Sequence, residues 1–208
     1  MAIRDVLNDV VPREWVDRSY PSLKSLSLWV LDLVQRVQQL QAWTQDFSLL
    51  RVTWLPGLFA PRAFLAAIMQ SAARINNWKL EDVSIMVEVT KKEPEDVTIA
   101  ARDGAYIHGF FLEGARWDRR TKSLEEVRGR LAISLMPVIL IKAVQRLDYE
   151  GQELYLCPVY RTQRRQAAEL IFFAHLPSMR FPASQWTLAG VAMTAEAIDD
   201  EIFAERKI

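Results

Sequence analysis

The spacing of apolar residues in the first third of the chain predicts α-helices. Five of them fall at steps of four, three, four and three, which places them on one face of a helix from residue 22 to about residue 43: Leu26, Val30, Leu33, Val37 and Leu40. Pro21 and Ser22 mark the predicted start, because a Ser hydroxyl can accept a hydrogen bond from a free N–H of the first turn.

A second helix is predicted from residue 61 to about residue 77, with Pro61 at its first position and two Asn residues at its end. Its predicted buried stripe consists of Phe64, Leu65, Ile68, Ala72 and Ile75. Between the two helices, residues 54–59 are apolar but contain Pro56 and Gly57 in succession. That combination predicts a buried turn.

Beyond residue 82 the pattern changes to short segments that are rich in β-branched and aromatic residues. Six strands are predicted, at residues 83–89, 105–112, 137–141, 154–160, 170–173 and 188–193. The connections are too short and too polar for repeated crossover helices, which favours an antiparallel sheet or small barrel over a parallel α/β sheet. We therefore predict an α+β protein with a helical subdomain at 1–82 and an antiparallel β subdomain at 83–208.

Composition and charge narrow the class of protein. Half of the 208 residues are hydrophobic and a quarter are charged, as in ordinary globular proteins. The 26 basic and 26 acidic residues balance, so no net positive field is expected to hold nucleic acid or an anionic membrane. The longest nearly apolar run, residues 131–141, is shorter than the roughly 20 residues that span a bilayer. The first residues lack the pattern of a signal peptide, so secretion is not expected.

Motifs for common catalytic chemistry are absent from the sequence. It contains no phosphate-binding loop, dinucleotide-binding glycine run, serine-hydrolase elbow, zincin motif or EF-hand loop. One Cys and two His exclude a zinc site built mainly from Cys. His108 and His175 are interpreted as sheet residues, and Cys157 as a small buried apolar residue.

Two basic clusters and seven Trp residues stand out. The cluster at residues 116–122 has acidic neighbours and is interpreted as a solvated turn with local ion pairs. The cluster formed by Arg161, Arg164 and Arg165 lacks them, so it is a candidate contact for an acidic protein surface. Many Trp residues without a catalytic constellation favour packing against a partner.

Five sequence blocks, in order and spanning nearly the whole chain, resemble the C-terminal region of dynein heavy chains. The most distinctive block is DGAYIHGFFLEGARWD at residues 103–118. The first block consists of LN at 7–8, VP at 11–12 and Trp15, followed by YPSLK at 20–24. The second consists of WL at 54–55 with Gly57 and Phe59. The last two, after the most distinctive block, are CPVYRT at 157–162 and Trp186 with GVA at 190–192. The GARWD form is more similar to axonemal arm dyneins. Pro56 and Ala189 depart from the family pattern, which usually has Ser and Arg there.

The resemblance implies a fold for this domain, and it implies that other parts of the heavy chain carry the motor activities. Dynein heavy chains are microtubule motors built on a ring of six AAA+ modules, and the C-terminal domain lies against one face of the ring and bridges modules. In the family it is a helical portion followed by an incomplete six-stranded antiparallel β-barrel. ATP hydrolysis and microtubule binding belong to other parts of the heavy chain. The resemblance thus implies no catalytic residue, cofactor or metal in this domain, with ATP at other modules.

The implied partners are the AAA+ ring modules of the same heavy chain and, through the parent motor, dynein subunits and microtubules, with no nucleic acid and no membrane. The implied location is the cytoplasm and cytoskeleton, in the axoneme of a cilium or flagellum. Surplus apolar residues on helix 22–43 and near Trp15 are expected to form an exposed surface. The interface candidates are Trp15, Trp29, Trp43, Arg116, Trp117, Asp118, Arg161, Arg164 and Arg165.

One alternative from another class stays open. The β part can enclose a pocket of a small-molecule enzyme or binding protein, with His108, Glu113 and Cys157 as its converging polar groups. It requires a deep cavity into which at least two of these side chains point.

Overall fold

The structure is a computed structural model that describes residues 2–20, 22, 24–45, 47–127, 133–145, 153–161 and 169–195. The helices of this described part are α1 (Ala2–Leu7), α2 (Arg13–Val16), α3 (Leu26–Thr44), α4 (Pro61–Asn76) and α5 (Ala183–Ala189). Its strands are β1 (Thr53–Trp54), β2 (Ser84–Val89), β3 (Ala105–His108), β4 (Phe111–Glu113), β5 (Arg116–Asp118), β6 (Ser123–Glu125), β7 (Ile133–Leu135), β8 (Ile139–Val144), β9 (Leu154–Tyr160), β10 (Leu170–Pro177) and β11 (Ala192–Thr194).

The described strands form three sheets. One has the order β1-β3-β8-β2, the second has the order β10-β9-β11-β4-β7, and β5 pairs with β6. Two pairings, β1 with β3 and β11 with β9, are parallel, and the others are antiparallel. The α+β class is confirmed. The six-stranded barrel is not confirmed, because none of these sheets closes on itself and the strands divide between them.

One glycine accounts for part of this division. The predicted strand 105–112 breaks at Gly109, whose φ of +94° does not continue a β-strand. Its first half, β3, enters the four-stranded sheet, and its second half, β4, enters the five-stranded sheet. A single predicted strand therefore connects the two sheets.

The other strand predictions have mixed outcomes. Strands at 83–89 and 154–160 are confirmed within one residue, 137–141 is shifted to β8, and 170–173 extends to Pro177. The strand predicted at 188–193 is wrong in its first half, where α5 ends in a left-handed turn at Gly190 before β11 begins. The short strands β1, β5, β6 and β7 were not predicted, because two or three residues carry no periodicity.

Helix α4 begins at Pro61 as predicted and ends against Asn77, which has a left-handed φ of 58°. Phe64 and Leu65 are buried, but Ile75 is exposed, so the predicted stripe is wrong at its last position. Helix α3 begins at Leu26, so the predicted start at Ser22 is wrong.

A distant residue supplies the cap of α3. The Leu26 N–H donates to the Asp9 carbonyl at 2.9 Å, and the Ser27 N–H donates to Asp9 Oδ1 at 2.8 Å. The Ser27 hydroxyl donates to the other carboxylate oxygen at 3.0 Å. Asp9 thus satisfies free N–H groups of the first turn, the role that the sequence suggested for Ser22.

One hydrophobic cluster contains buried residues from both predicted subdomains, among them Leu55, Phe64, Ile107, Leu112 and Trp186. The turn at residues 55–58 is buried, as predicted. The Trp54 ring lies against two glycines: an added Cβ would come within 2.2 Å of the ring at Gly57 and within 2.4 Å at Gly109. This close contact joins the segment before α4 to the end of β3. The division at residue 82 stays a prediction.

Candidate functional site

Helix α3 buries its charged side chains and exposes several of its aliphatic ones. Its two charged residues, Asp32 and Arg36, are 3% and 6% exposed. Its exposed positions carry Val, Leu, Gln, Ser, Ala or Thr and no charge. A helix whose outer face is bounded by water normally shows the opposite arrangement. The reversal leaves an exposed apolar surface on the outer side of α3.

The inner side of α3 is a buried polar network. Asp32 accepts hydrogen bonds from Arg36 Nε and Lys24 Nζ, both at 2.5 Å. Arg36 also donates from Nη1 to the Pro56 carbonyl at 2.7 Å, in the buried turn before α4. Burial raises the pKa of Asp32, but hydrogen bonds from Arg36, Lys24 and Tyr20 outweigh it, and the pKa lies below its ordinary value. The carboxylate is therefore charged and paired.

Aromatic rings surround this network. The Arg36 guanidinium lies 3.9 Å from the centre of the Tyr20 ring and 5.2 Å from the Trp54 ring. Tyr20 stacks on Trp29 with 6.1 Å between centroids, and Trp29 in turn contacts Trp15 at 6.1 Å. Burial, with Asp32 nearby, raises the pKa of the Tyr20 hydroxyl. The rings fix the segment before α3 onto the helix.

The outer side of α3 presents four aliphatic residues, which we call the α3 apolar face: Val30, Leu31, Val34 and Val37. Leu31 is 62% exposed, and the other three are each more than two-fifths exposed. Positions 30, 34 and 37 follow the spacing of one helix face, and position 31 borders it. Val30 and Val37, two of the five apolar residues that the sequence spacing places on one face of this helix, are therefore exposed.

Exposed apolar residues continue into the segment before α3. Ile3, Leu7, Val10, Trp15 and Val16 are exposed on α1, α2 and the residue stretch between them. This distribution confirms the expectation of surplus apolar residues on the predicted helix and near Trp15. The sequence predicts the region of exposed apolar residues, but it does not tell which aliphatic residues of the helix are exposed. The same spacing describes a buried stripe and an exposed one.

The Trp interface candidates fall into different environments. Trp15 is partly exposed, at 45%, whereas Trp29 and Trp117 are buried. Trp43 is partly buried, with an edge contact of 5.7 Å to Phe64 of α4. Only Trp15 among these four offers a large exposed ring surface.

The charged candidates have local partners. Asp118 accepts the Arg120 N–H at 2.9 Å and the Thr121 hydroxyl at 2.8 Å, which forms the turn between β5 and β6. Arg116 donates to the Glu126 carbonyl at 3.3 Å. Arg161 donates to the Phe59 carbonyl at 3.3 Å and to Glu169 at 3.4 Å. The other two arginines of that cluster, Arg164 and Arg165, lie outside the described residues.

The polar groups of the pocket alternative lie on three different strands of two sheets. His108 is in the four-stranded sheet, whereas Glu113 and Cys157 are on strands of the five-stranded sheet that β11 separates. Burial lowers the pKa of His108 despite the nearby Glu95. A groove of about 400 Å³ lies at the end of α4, lined by Arg74, Asn77, Trp78 and Lys79 among others. None of the three candidate groups lines that groove.

The described residues contain no group of three or more His, Cys, Asp or Glu side chains placed to hold a metal ion. Among those same residues, no helix has the length and apolar character to cross a membrane.

Comparison with known proteins settles the family. The family model for the C-terminal domain of the dynein heavy chain matches residues 1–195. The protein belongs to this family. It is 46% identical over 185 residues to the dynein beta chain, ciliary, of Heliocidaris crassispina, and 45% identical over 185 residues to dynein axonemal heavy chain 17 of Homo sapiens. It is also 41% identical over 196 residues to the dynein beta chain, flagellar outer arm, of Chlamydomonas reinhardtii.

These matches cover 89% to 94% of this chain and 4% of each relative. The chain thus spans a small part of the length of the dynein heavy chains that it matches. The predicted similarity to the axonemal type of dynein heavy chain is confirmed, since all three relatives carry ciliary, axonemal or flagellar names.

Proposed function

We propose that this domain is a non-catalytic part of a ciliary or flagellar dynein motor, and that it packs on the AAA+ ring of the same heavy chain and bridges its modules. The motor would hydrolyse ATP in those modules, move on microtubules and act in the axoneme, within the cytoplasm and cytoskeleton. The names of the relatives support the axonemal setting. The observation that carries the ring contact is the reversed helix α3.

The α3 apolar face has the properties of a surface that is covered in the parent protein. It holds four aliphatic side chains and no charge, and such contiguous patches mark interaction sites on soluble proteins. Covering one half-exposed aliphatic side chain stabilises a complex by roughly 1 kcal/mol. The occupant would be a module of the same heavy chain, because about 96% of each relative's length lies outside the region that this chain matches.

The buried polar network on the inner side of α3 would couple the contact with the ring to the rest of the domain. Arg36 is bonded both to Asp32 of α3 and to the Pro56 carbonyl of the turn that contacts the sheet. A module that holds the outer face of α3 would therefore hold the rest of the domain in a fixed orientation. If the packing differs between ring states, the domain biases their equilibrium by the difference in packing free energy.

The test is binding of the 208-residue chain to a parent heavy chain from which this domain has been removed. Leu31→Gln with Val34→Gln is expected to weaken binding about 30-fold, the equivalent of roughly 2 kcal/mol. Ile75→Gln, at an exposed position of α4, serves as the matched control and is expected to leave binding unchanged. Equal affinities for the two variants would contradict the assignment of this face.

A further inference from the structure

The side chain of Gln39 takes the place of a neighbouring strand at one edge of the four-stranded sheet. Strand β1 is the edge strand there. Gln39 Nε2 donates to the Trp54 carbonyl at 3.0 Å, and the Trp54 N–H donates to Gln39 Oε1 at 2.7 Å. One side-chain amide of α3 therefore satisfies both main-chain polar groups of Trp54, as a paired strand would.

The ring of Trp54 contacts α3 as well. The Arg36 guanidinium, three residues before Gln39 on the helix, lies 5.2 Å from the ring centre. The ring also lies against Gly57 and Gly109, where an added Cβ would come within 2.2 Å and 2.4 Å of it. Because such contacts are close-packed, a displacement of α3 that keeps its bonds to Trp54 also displaces the neighbours of the ring.

One of these neighbours, Gly109, lies where the chain passes from one sheet to the other. Strand β3, which ends just before it, belongs to the four-stranded sheet, and β4 belongs to the five-stranded sheet. The next residue, Phe110, accepts the Met136 N–H on its carbonyl at 2.9 Å, directly after β7. Trp54 therefore contacts both α3 and the junction of the two sheets.

We propose that Gln39 and Trp54 form a latch that couples the orientation of α3 to the junction of the two sheets at Gly109. One planar amide makes both hydrogen bonds, so the two bonds open together. With the latch closed, α3, Trp54 and Gly109 move as one body. With the latch open, the Trp54 main chain leaves the helix and its ring no longer holds the junction. The latch lies inside the domain, so it is tested independently of the ring contact.

Amide hydrogen exchange, measured by NMR on the 208-residue chain, tests the coupling. Gln39→Met removes both hydrogen bonds at a similar side-chain length. The Trp54 N–H is expected to exchange roughly tenfold faster in this variant because it loses its acceptor, and the Met136 N–H several-fold faster because the junction is released. Gln38→Met, at an exposed position one residue away on α3, is the matched control and is expected to leave both rates unchanged.

A third amide separates coupling from a general loss of stability. The Ser178 N–H donates to the Glu153 carbonyl at 2.9 Å just after β10, and β10 and β7 are opposite edges of the five-stranded sheet. Its exchange rate is expected to stay unchanged in Gln39→Met. A faster Trp54 N–H with an unchanged Met136 N–H would overturn the proposal, because Gln39 would then cap the strand edge only. Equal acceleration of all three amides, or of none, would overturn it too.

The reverse direction gives a second test, because a coupling free energy is reciprocal. Gly109→Ala places a Cβ against the Trp54 ring at the other end of the latch. The Trp54 N–H is expected to accelerate several-fold more than the Ser178 N–H in this variant. In Gly114→Ala, whose added Cβ stays 3.5 Å from its nearest neighbour, both amides are expected to change by the same factor. Equal factors in Gly109→Ala would contradict the coupling.

Discussion

Helices α3 and α4 have similar lengths and both carry apolar residues at helical spacing, yet only α3 buries charged side chains. Helix α4 buries Phe64 and Leu65 and exposes Arg62 and Arg74, whereas α3 buries Asp32 and Arg36 and exposes Leu31. The apolar spacing that both helices share therefore does not tell which side chains are buried. Tertiary contacts decide this, and in α3 they hold a charged pair inside.

The largest effect is expected at the buried pair of α3. Asp32→Ala leaves the Arg36 guanidinium buried without its carboxylate, which is expected to lower the free energy of unfolding by about 3–5 kcal/mol. The double change Asp32→Leu with Arg36→Met removes both charges and is expected to cost less than the single one. Urea midpoints of the wild type and both variants measure this. A double variant that is less stable than Asp32→Ala would show that the network is more than a paired charge.

The next effect concerns the contact that joins the α3 region to the sheet. Gly109→Ala places a Cβ against the Trp54 ring at a φ of +94°, so we expect a loss of roughly 3 kcal/mol. Gly114→Ala is the matched control: its φ is also positive, at +74°, but its nearest neighbour is 3.5 Å away, so the loss is expected to be roughly 1 kcal/mol. Thermal unfolding compares the two variants. Equal losses would exclude the Trp54 contact as the cause.

A smaller effect is expected from pH at the cap of α3. The Ser27 N–H hydrogen bond holds the pKa of Asp9 below its ordinary value. A carboxylate with a lowered folded-state pKa contributes stability above its unfolded pKa, and this is lost as the pH falls through the folded pKa. Asp9→Ala is therefore expected to reduce stability at neutral pH and to flatten its decline below about pH 4. Unfolding curves at several pH values measure this, and an unchanged slope would contradict the capping role.

The smallest effect is expected at the α3 apolar face in the isolated domain. Leu31→Gln is expected to change the free energy of unfolding by no more than about 0.5 kcal/mol, because the side chain already meets water. Leu65→Gln, on the buried stripe of α4, is expected to cost several times that amount. Chemical denaturation of both variants checks the contrast. A large loss for Leu31→Gln would mean that α3 has no face left for a partner.

The sequence pattern determined much of the fold but little of the interface. Helix α4 and strand β2 were predictable because local geometry determines them, through Pro61 and Asn77 at the helix ends and through the alternation at residues 84–89. The start of α3 could not be predicted in this way, because its cap comes from Asp9, which is 18 residues before Ser27 in the sequence. The break at Gly109 was missed because a glycine within an apolar run does not reveal its φ from the sequence alone.

The candidate residues show the same limit. The sequence makes Trp29 and Trp117 interface candidates through the size of their rings, but large rings fill cores as readily as interfaces, and both are buried. The aliphatic residues of the α3 apolar face carried no distinguishing signal. Only the burial of Asp32 and Arg36, which tertiary contacts determine, identifies the outer side of the helix.

Whether another module covers the α3 apolar face can be measured by hydroxyl-radical footprinting of the isolated 208-residue protein and of its full parent heavy chain. We expect oxidation of Val30, Leu31, Val34 and Val37 to fall several-fold in the heavy chain, because a ring module excludes water from them. Oxidation at the same rate in both proteins would contradict the proposed ring contact, since the face would then meet water in the assembled motor as well.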